Sequence, residues 1–214
     1  MRPSCQSCST LTLRTFSRPA PHRWRSILGA CCAFVFPILL MPLASCGNSA
    51  LHAEQMRGPS PSGFRIESAA FKDGGPIPRR FTCKGADISP ALRWTEPPGG
   101  TRSFTLIVED PDAPGGVWTH WVVYNLPARA RQVPENVPKQ DHLAGGGFQG
   151  LNSFGRAGYG GPCPPTGNAH RYFFRLYALD IILSLKPGAA RSDVLEAAKG
   201  HTLARTQWMG RFKR

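Results

Sequence analysis

Residues 103–126 read SFTLIVEDPDAPGGVWTHWVVYNL, two apolar runs joined by an acidic, proline-rich loop. Successive side chains of a strand point to opposite faces, and in the first run Phe104, Leu106 and Val108 alternate with Thr105 and Ile107. Both faces are mostly apolar, the pattern of a strand covered on both sides. Residues 103–109 are therefore expected to form a central strand, and residues 118–126 a second one.

Outward from this pair, residues 171–179 repeat the strand pattern with a more one-sided alternation. Apolar runs rich in Val, Ile, Phe and Tyr alternate with Gly/Pro clusters from Phe64 onward, so most of the domain is expected to be β. One short helix is predicted over 193–199, capped by Ser192 and closed by Gly200, whose lack of a side chain suits a left-handed turn. Residues 201–211 then alternate without helix signals and read as a closing strand. No internal repeat is visible.

The loop Asp110-Pro111-Asp112-Ala113-Pro114-Gly115-Gly116 holds two carboxylates between two prolines, which fix φ and limit conformational freedom. Such a loop is either an ordinary turn with solvated acids or a pair of acids oriented in advance for a ligand. In Trp118-Thr119-His120-Trp121, alternation places Trp118 and His120 on one strand face and Trp121 on the other. A third segment, Gly158-Tyr159-Gly160-Gly161-Pro162-Cys163-Pro164-Pro165, lets a ligand approach backbone at its glycines and is stiffened by its prolines. It leads into Asn168-Ala169-His170-Arg171-Tyr172. Each histidine taken alone reads as a structural residue; together with the acids they can form a site.

The first 63 residues have a different composition. Residues 1–45 contain five arginines and no acid, and an apolar run of 18 residues from 27 to 44 follows Arg23 and Arg25. Pro37 and Pro42 interrupt that run, which suits an export signal better than a permanent span. It closes on Leu43-Ala44-Ser45-Cys46, similar to a bacterial lipobox in which Cys46 becomes the lipidated first residue after cleavage. The remaining segment to residue 63, with Pro59 and Pro61 among Gly and Ser, reads as a flexible tether. The expected organisation is a signal over 1–45, a tether over 46–63 and one domain over 64–214, exported and anchored to a bacterial membrane at the periplasmic face or cell surface.

The full chain carries a net charge of +13; without residues 1–45 it keeps 21 basic and 13 acidic side chains. The basic residues are scattered, mostly singly, which argues against nucleic acid and favours anionic head groups or small acidic ligands. Cys5, Cys8, Cys31 and Cys32 fall in the leader and Cys46 in the lipobox, leaving Cys83 and Cys163. In an oxidising compartment these two either pair or stand as two buried thiols. A bridge over that span stabilises by at most about 4.5 kcal/mol in the chain-entropy treatment.

The DPDAP loop, the WTHW segment, the YGGPCPP loop and the HRYFF strand occur here in the order found in the phosphatidylethanolamine-binding family. Phe81-Thr82-Cys83, Ile88-Ser89-Pro90, Gln149-Gly150-Leu151-Asn152-Ser153-Phe154-Gly155 and Gly200-His201 further resemble its bacterial, Raf kinase inhibitor-like branch. The resemblance spans 64–214. It implies a mainly β fold, with a large central sheet packed against a smaller one and few short peripheral helices. It also implies a small pocket for phosphate-like anions and phosphoethanolamine head groups, lined by Asp110, Asp112, Pro114, Trp118, His120, Gly161, Pro165, His170 and Tyr172. Cys163 stands where eukaryotic relatives tend to have glycine, and a bridge to Cys83 would staple the pocket rim.

The expected chemistry is binding, with cationic His120 and His170 donating to ligand oxygens and Asp110 either orienting His120 or receiving an ammonium. Expected partners are a small anion or phospholipid head group, a membrane held through the lipid anchor, a protein target that no motif identifies, and a second copy of the chain as a homodimer. No cofactor, metal or nucleic acid is expected. Two rival readings use the same residues: inhibition of a kinase or protease through a protein partner, and a metal-dependent enzyme, for which no H-x-x-x-H pattern speaks. No G-x-S-x-G elbow marks a hydrolase.

Overall fold

The computed structural model describes residues 63–214. The export signal, the lipobox at Cys46 and all of the tether except Gly63 lie outside the described residues. Among the described residues no helix is long and apolar enough to cross a membrane.

The described residues form eight strands and one α-helix in the order β1 (Ile66–Glu67), β2 (Leu92–Trp94), β3 (Ser103–Asp110), β4 (Trp118–Pro127), β5 (Gln132–Val133), β6 (Phe148–Gln149), β7 (His170–Leu179), α1 (Arg191–Ala197) and β8 (Thr202–Phe212). A short 3-10 turn, Arg79–Phe81, precedes β2. The larger sheet has five strands ordered β6-β4-β3-β7-β8, and the smaller has three ordered β1-β2-β5. All neighbours pair antiparallel. The two-sheet, mainly β architecture agrees with the sequence expectation.

β3 is central and every one of its residues is buried. Phe104, Leu106 and Val108 join Trp121, Phe174 and Leu176 on the face covered by the smaller sheet, which contributes Ile66, Leu92, Trp94 and Val133 to the same core. Phe64 stacks on Phe104 at 6.1 Å and Trp94 meets the same ring edge-on at 5.4 Å. Each such buried side chain stabilises by about 1.5–3 kcal/mol. On the opposite face Val122, Tyr124 and Leu179 pack under Leu183, Val194 and Ala198. Glu109 faces this second side, where it is buried against Arg175 and lies 2.8 Å from Arg191 Nε of α1.

The helix begins earlier than its capping signals predict. Ser192 lies inside it, and Ala190 occupies the cap with no side-chain hydrogen bond of its own. Instead Ala190 N–H donates to Asp193 Oδ2 at 3.4 Å. The start is set by pairing with the larger sheet: Gly188 N–H donates to Gln149 O at 3.0 Å, and Leu151 N–H to Ala189 O at 3.2 Å. Backbone pairing of residues 188–189 outweighs a cap of about 1 kcal/mol. At the other end Gly200 takes φ +79°, as its position after the helix requires.

Candidate functional site

Antiparallel pairing brings the end of β3 beside the start of β7, and so Asp110 beside His170 although they are 60 positions apart. Asp110 Oδ2 accepts from His170 Nδ1 at 2.8 Å, with both side chains nearly enclosed. A carboxylate only accepts, so His170 carries its hydrogen on Nδ1. Asp110 Oδ1 accepts the Asp112 N–H at 2.8 Å, which curls the loop back on itself.

His120 reaches the site through a break in the ladder between β3 and β4. Val108 pairs with Trp121 and Glu109 with Thr119, leaving His120 as an extra residue of β4. A bulge of this kind turns two consecutive side chains toward one face. His120 therefore meets Tyr172 at 5.2 Å while Trp121 meets Tyr159 at 5.6 Å, and Trp121, Tyr159 and Tyr172 all belong to the same core. The expected assignment of Trp121 to the opposite face is corrected by this bulge. Trp118, two residues before His120, lies on the same side as His120, as alternation predicted.

His120 Nδ1 lies 2.6 Å from Gly160 O, and a carbonyl can only accept, so Nδ1–H is the donor. Asp110 therefore orients His170, and a backbone carbonyl orients His120. The expectation that Asp110 orients His120 is replaced accordingly. Burial pushes the His120 pKa down, only partly offset by its bond to Gly160 and the charges of Asp110 and Asp87. The neutral ring is favoured, in place of the cation the sequence reading anticipated.

A cavity of about 310 Å³ opens over these residues, lined by Asp110, Pro114, Trp118, His120, Pro165 and His170 of the expected set. The other three stand behind it. Asp112 is clamped to the start of β7: Arg171 N–H and Nε–H both donate to its Oδ2 at 2.9 Å, and Nη2–H to its Oδ1 at 2.6 Å. The Arg171 guanidinium holds the Asp112 carboxyl down to about 2. Gly161 donates its N–H to Asp87 Oδ1 at 2.6 Å, so that amide serves the loop. Tyr172 packs beneath His120, and burial followed by the Asp110 charge holds its hydroxyl protonated, well above its ordinary value.

The glycines of the third segment admit other parts of the protein, where ligand approach was expected. A Cβ on Gly160 would fall 2.6 Å from the Phe154 ring, and one on Gly161 would fall 2.5 Å from Phe81 O. Cys83 and Cys163 form a disulfide with Cα atoms 5.4 Å apart, which selects the bridge over two free thiols. Cys163 is also part of the cavity wall, so the bridge borders the pocket.

Sequence reading missed Ala113, Phe154 and Pro164 as wall residues. Phe154 closes one side, edge-on to Trp118 at 5.4 Å and to His120 at 5.6 Å. Its only signal was an aromatic side chain in the motif Gln149–Gly155. Among the described residues no group of three or more His, Cys, Asp or Glu side chains is arranged to hold a metal ion.

Fold and site together define a class: a two-sheet antiparallel β protein with a small acid–histidine pocket at the ends of its central strands. Within that class the chain belongs to the phosphatidylethanolamine-binding protein family, whose sequence model matches residues 67–213. A "UPF0098 protein" of Methanothermobacter thermautotrophicus is 52% identical over 151 residues, covering 71% of this chain and 99% of the relative. A protein of the same description from Aquifex aeolicus is 50% identical over 153 residues, covering 71% and 89%. Among solved structures, a homolog of the family from Chlamydia trachomatis is 39% identical, with a TM-score of 0.66 over 72% of this chain and 99% of that one. Escherichia coli YbcL, described as a member of the mammalian family, is 31% identical with a TM-score of 0.66 and the same coverage.

Proposed function

We propose that this chain is a binding protein whose pocket takes a small anionic group of the phosphate or phosphoethanolamine type. The observation that carries the reading is the pairing of Asp110 with His170 opposite a backbone-oriented His120 around one cavity. His120 keeps its hydrogen on Nδ1, which leaves Nε2 as the nitrogen for a ligand. A neutral imidazole accepts there, so a singly protonated phosphate is the best match: its P–OH donates to His120. His170, held by Asp110, is the counter-charge for the phosphate oxygens when it is protonated. The Asp110 carboxylate is available to an ammonium group, which favours a zwitterionic head group over bare phosphate. Binding outranks catalysis in this reading.

Calorimetric titration of the full chain with O-phosphoethanolamine, inorganic phosphate and acetate tests it. Saturable one-to-one binding, weakened at least tenfold by His120→Ala, is the expected result. Undetectable binding of all three, or unchanged affinity in His120→Ala, would remove the histidine from any ligand site.

The N-terminal segment supports export and lipidation at Cys46, with the domain tethered to a bacterial membrane. Metabolic labelling with a radioactive fatty acid should mark the chain and lose the label in Cys46→Ala. A second reading, a protein partner engaged by the pocket rim, is favoured by one observation. Trp118 and Phe154, which line the cavity, are exposed apolar side chains, 37% and 40% accessible, and Val117 beside Trp118 in sequence is 50% accessible. Rim substitutions that release a partner without altering phosphate affinity would support it.

A further inference from the structure

We propose that Asp87 is a positioning residue for His120 and acts through the single peptide group joining Gly160 to Gly161. The inference rests on the reading of His120 as a pocket residue. The carbonyl of that peptide, Gly160 O, accepts from His120 Nδ1–H at 2.6 Å. Its N–H, on Gly161, donates to Asp87 Oδ1 at 2.6 Å. The groups therefore run carboxylate, peptide N–H, peptide C=O, imidazole N–H. Hydrogen bonds in series polarise one another, so a carboxylate on the amide hydrogen makes the carbonyl oxygen a stronger acceptor. His170 has a carboxylate in direct contact; His120 has one at the distance of a peptide group.

The geometry leaves the peptide little freedom. Gly160 N–H also donates to His120 O at 2.9 Å, so residue 160 is tied to residue 120 twice. A Cβ at Gly160 would collide with Phe154 and one at Gly161 with Phe81, so both α-carbons flanking the peptide are tightly packed. Asp87 adopts φ +54°, a left-handed backbone unusual for a residue other than glycine. Such conformations persist where the surroundings over-determine them.

Two cations sit behind the carboxylate: Lys139 Nζ at 2.5 Å and Arg156 Nη2 at 3.7 Å from Asp87 Oδ2. They set how much of the Asp87 charge reaches the ring. The other titratable groups around His120 are Asp110 from β3, Tyr172 from β7, whose ring meets the imidazole edge-on, and His170, which lines the same cavity. Asp110 and Asp87 both favour the charged imidazole against the larger effect of burial.

The test is a ligand-free NMR titration of His120 in the full chain, reading its pKa and tautomer from long-range proton–nitrogen correlations. Asp87→Asn tolerates the left-handed backbone and keeps an oxygen for Gly161 N–H, but deletes the charge. It should lower the His120 pKa and reduce the Nδ1–H tautomer. Lys139→Met keeps the apolar stem and deletes the counter-charge, so it should move the pKa upward. Opposite shifts, with the Nδ1–H tautomer falling in Asp87→Asn and rising in Lys139→Met, are the signature of charge passed through the peptide, because charge acting through space alone moves the pKa and leaves the tautomer. No shift in either variant, or shifts of the same sign, would overturn the proposal. Should Asp87→Asn fail to fold, the tautomer population in Lys139→Met still decides. Because no ligand enters this titration, its failure is distinct from failure of the binding reading, which absent phosphate affinity in the unaltered chain would reveal.

Discussion

Asp110 Oδ2 and His170 Nδ1 meet at 2.8 Å, the carboxylate closing β3 and the imidazole opening β7. With side-chain accessibilities of 4% and 11%, the pair is largely shielded from water although it borders the cavity. Replacing Asp110 by Asn keeps the volume and removes the charge. A hydrogen bond to a charged group contributes about 1.5–3 kcal/mol. Asp110→Asn should therefore lower unfolding stability at pH 7 by about 2 kcal/mol in urea. If His170 needs that orientation to meet the ligand, phosphoethanolamine affinity should fall tenfold or more in the same variant.

The pH response follows from His120. Its pKa is lowered in the folded protein from 6.5, chiefly by burial. Below pH 6.5 the unfolded chain therefore binds a proton that the native state resists. Stability is full above that pH and declines as pH falls from 6.5 toward the folded pKa. Urea midpoints of the unaltered chain should drop between pH 7 and 5.5, and His120→Gln should flatten that slope. An equal slope in both proteins would assign the acid sensitivity elsewhere.

At lower pH a second group enters with its own sign. Asp112, held at about 2 by Arg171 in the folded state against 3.8 when free, stabilises above pH 3.8 and loses that contribution as pH falls toward 2. The pair is open to water, so the effect is small. Asp112→Asn should leave midpoints at pH 7 nearly unchanged and reduce the further loss of stability between pH 4 and 2.

The bridge from Cys83 to Cys163 closes a loop of 80 positions. Its removal should cost about 2–4 kcal/mol. The rim keeps a backbone bond from Cys83 N–H to Pro162 O at 3.2 Å and one from the Tyr159 hydroxyl to Phe81 O at 2.8 Å. The double variant Cys83→Ser/Cys163→Ser should thus fold with its pocket formed, but unfold at lower urea. Chemical denaturation with and without reductant separates this from a rim that collapses.

Gly161→Ala places a methyl group 2.5 Å from Phe81 O and 2.8 Å from Asp87 Oδ1. The neighbours are backbone and a hydrogen-bonded carboxylate, so relief requires moving the loop, at a cost of about 1–3 kcal/mol. Differential scanning calorimetry should show a lower melting temperature. Gly115→Ala is the contrast: nothing lies within 4 Å of its Cβ, and only its φ of +88° opposes the change, at about 1 kcal/mol.

Much of the fold was legible because its signals are local. The alternation of 104–108 marked a strand covered on both sides, and β3 is buried along its whole length. Asp110, Pro114, Trp118, His120, Pro165 and His170, which the family resemblance implied for a pocket, share one cavity. The helix start was misplaced because Ser192 is a good cap locally, whereas residues 188–189 are held by pairing with β6 and Leu151. Trp121 was assigned to the wrong face because a bulge at His120 breaks the period of two, and nothing in Thr119-His120-Trp121 announces it.

Sequence by itself determined the four long strands β3, β4, β7 and β8, and which acids and histidines lie next to strand ends. Those properties follow from backbone preferences and side-chain periodicity, which act over a few positions. Tertiary structure alone decided who partners whom. Asp110 went to His170, His120 to a backbone carbonyl, Asp112 to Arg171 and the Gly161 amide to Asp87. Each of these pairs joins segments 40 or more positions apart. Their choice depends on strand register, one bulge and the packing of two glycines, so local pattern carries the inventory of the site while its wiring is a property of the folded chain.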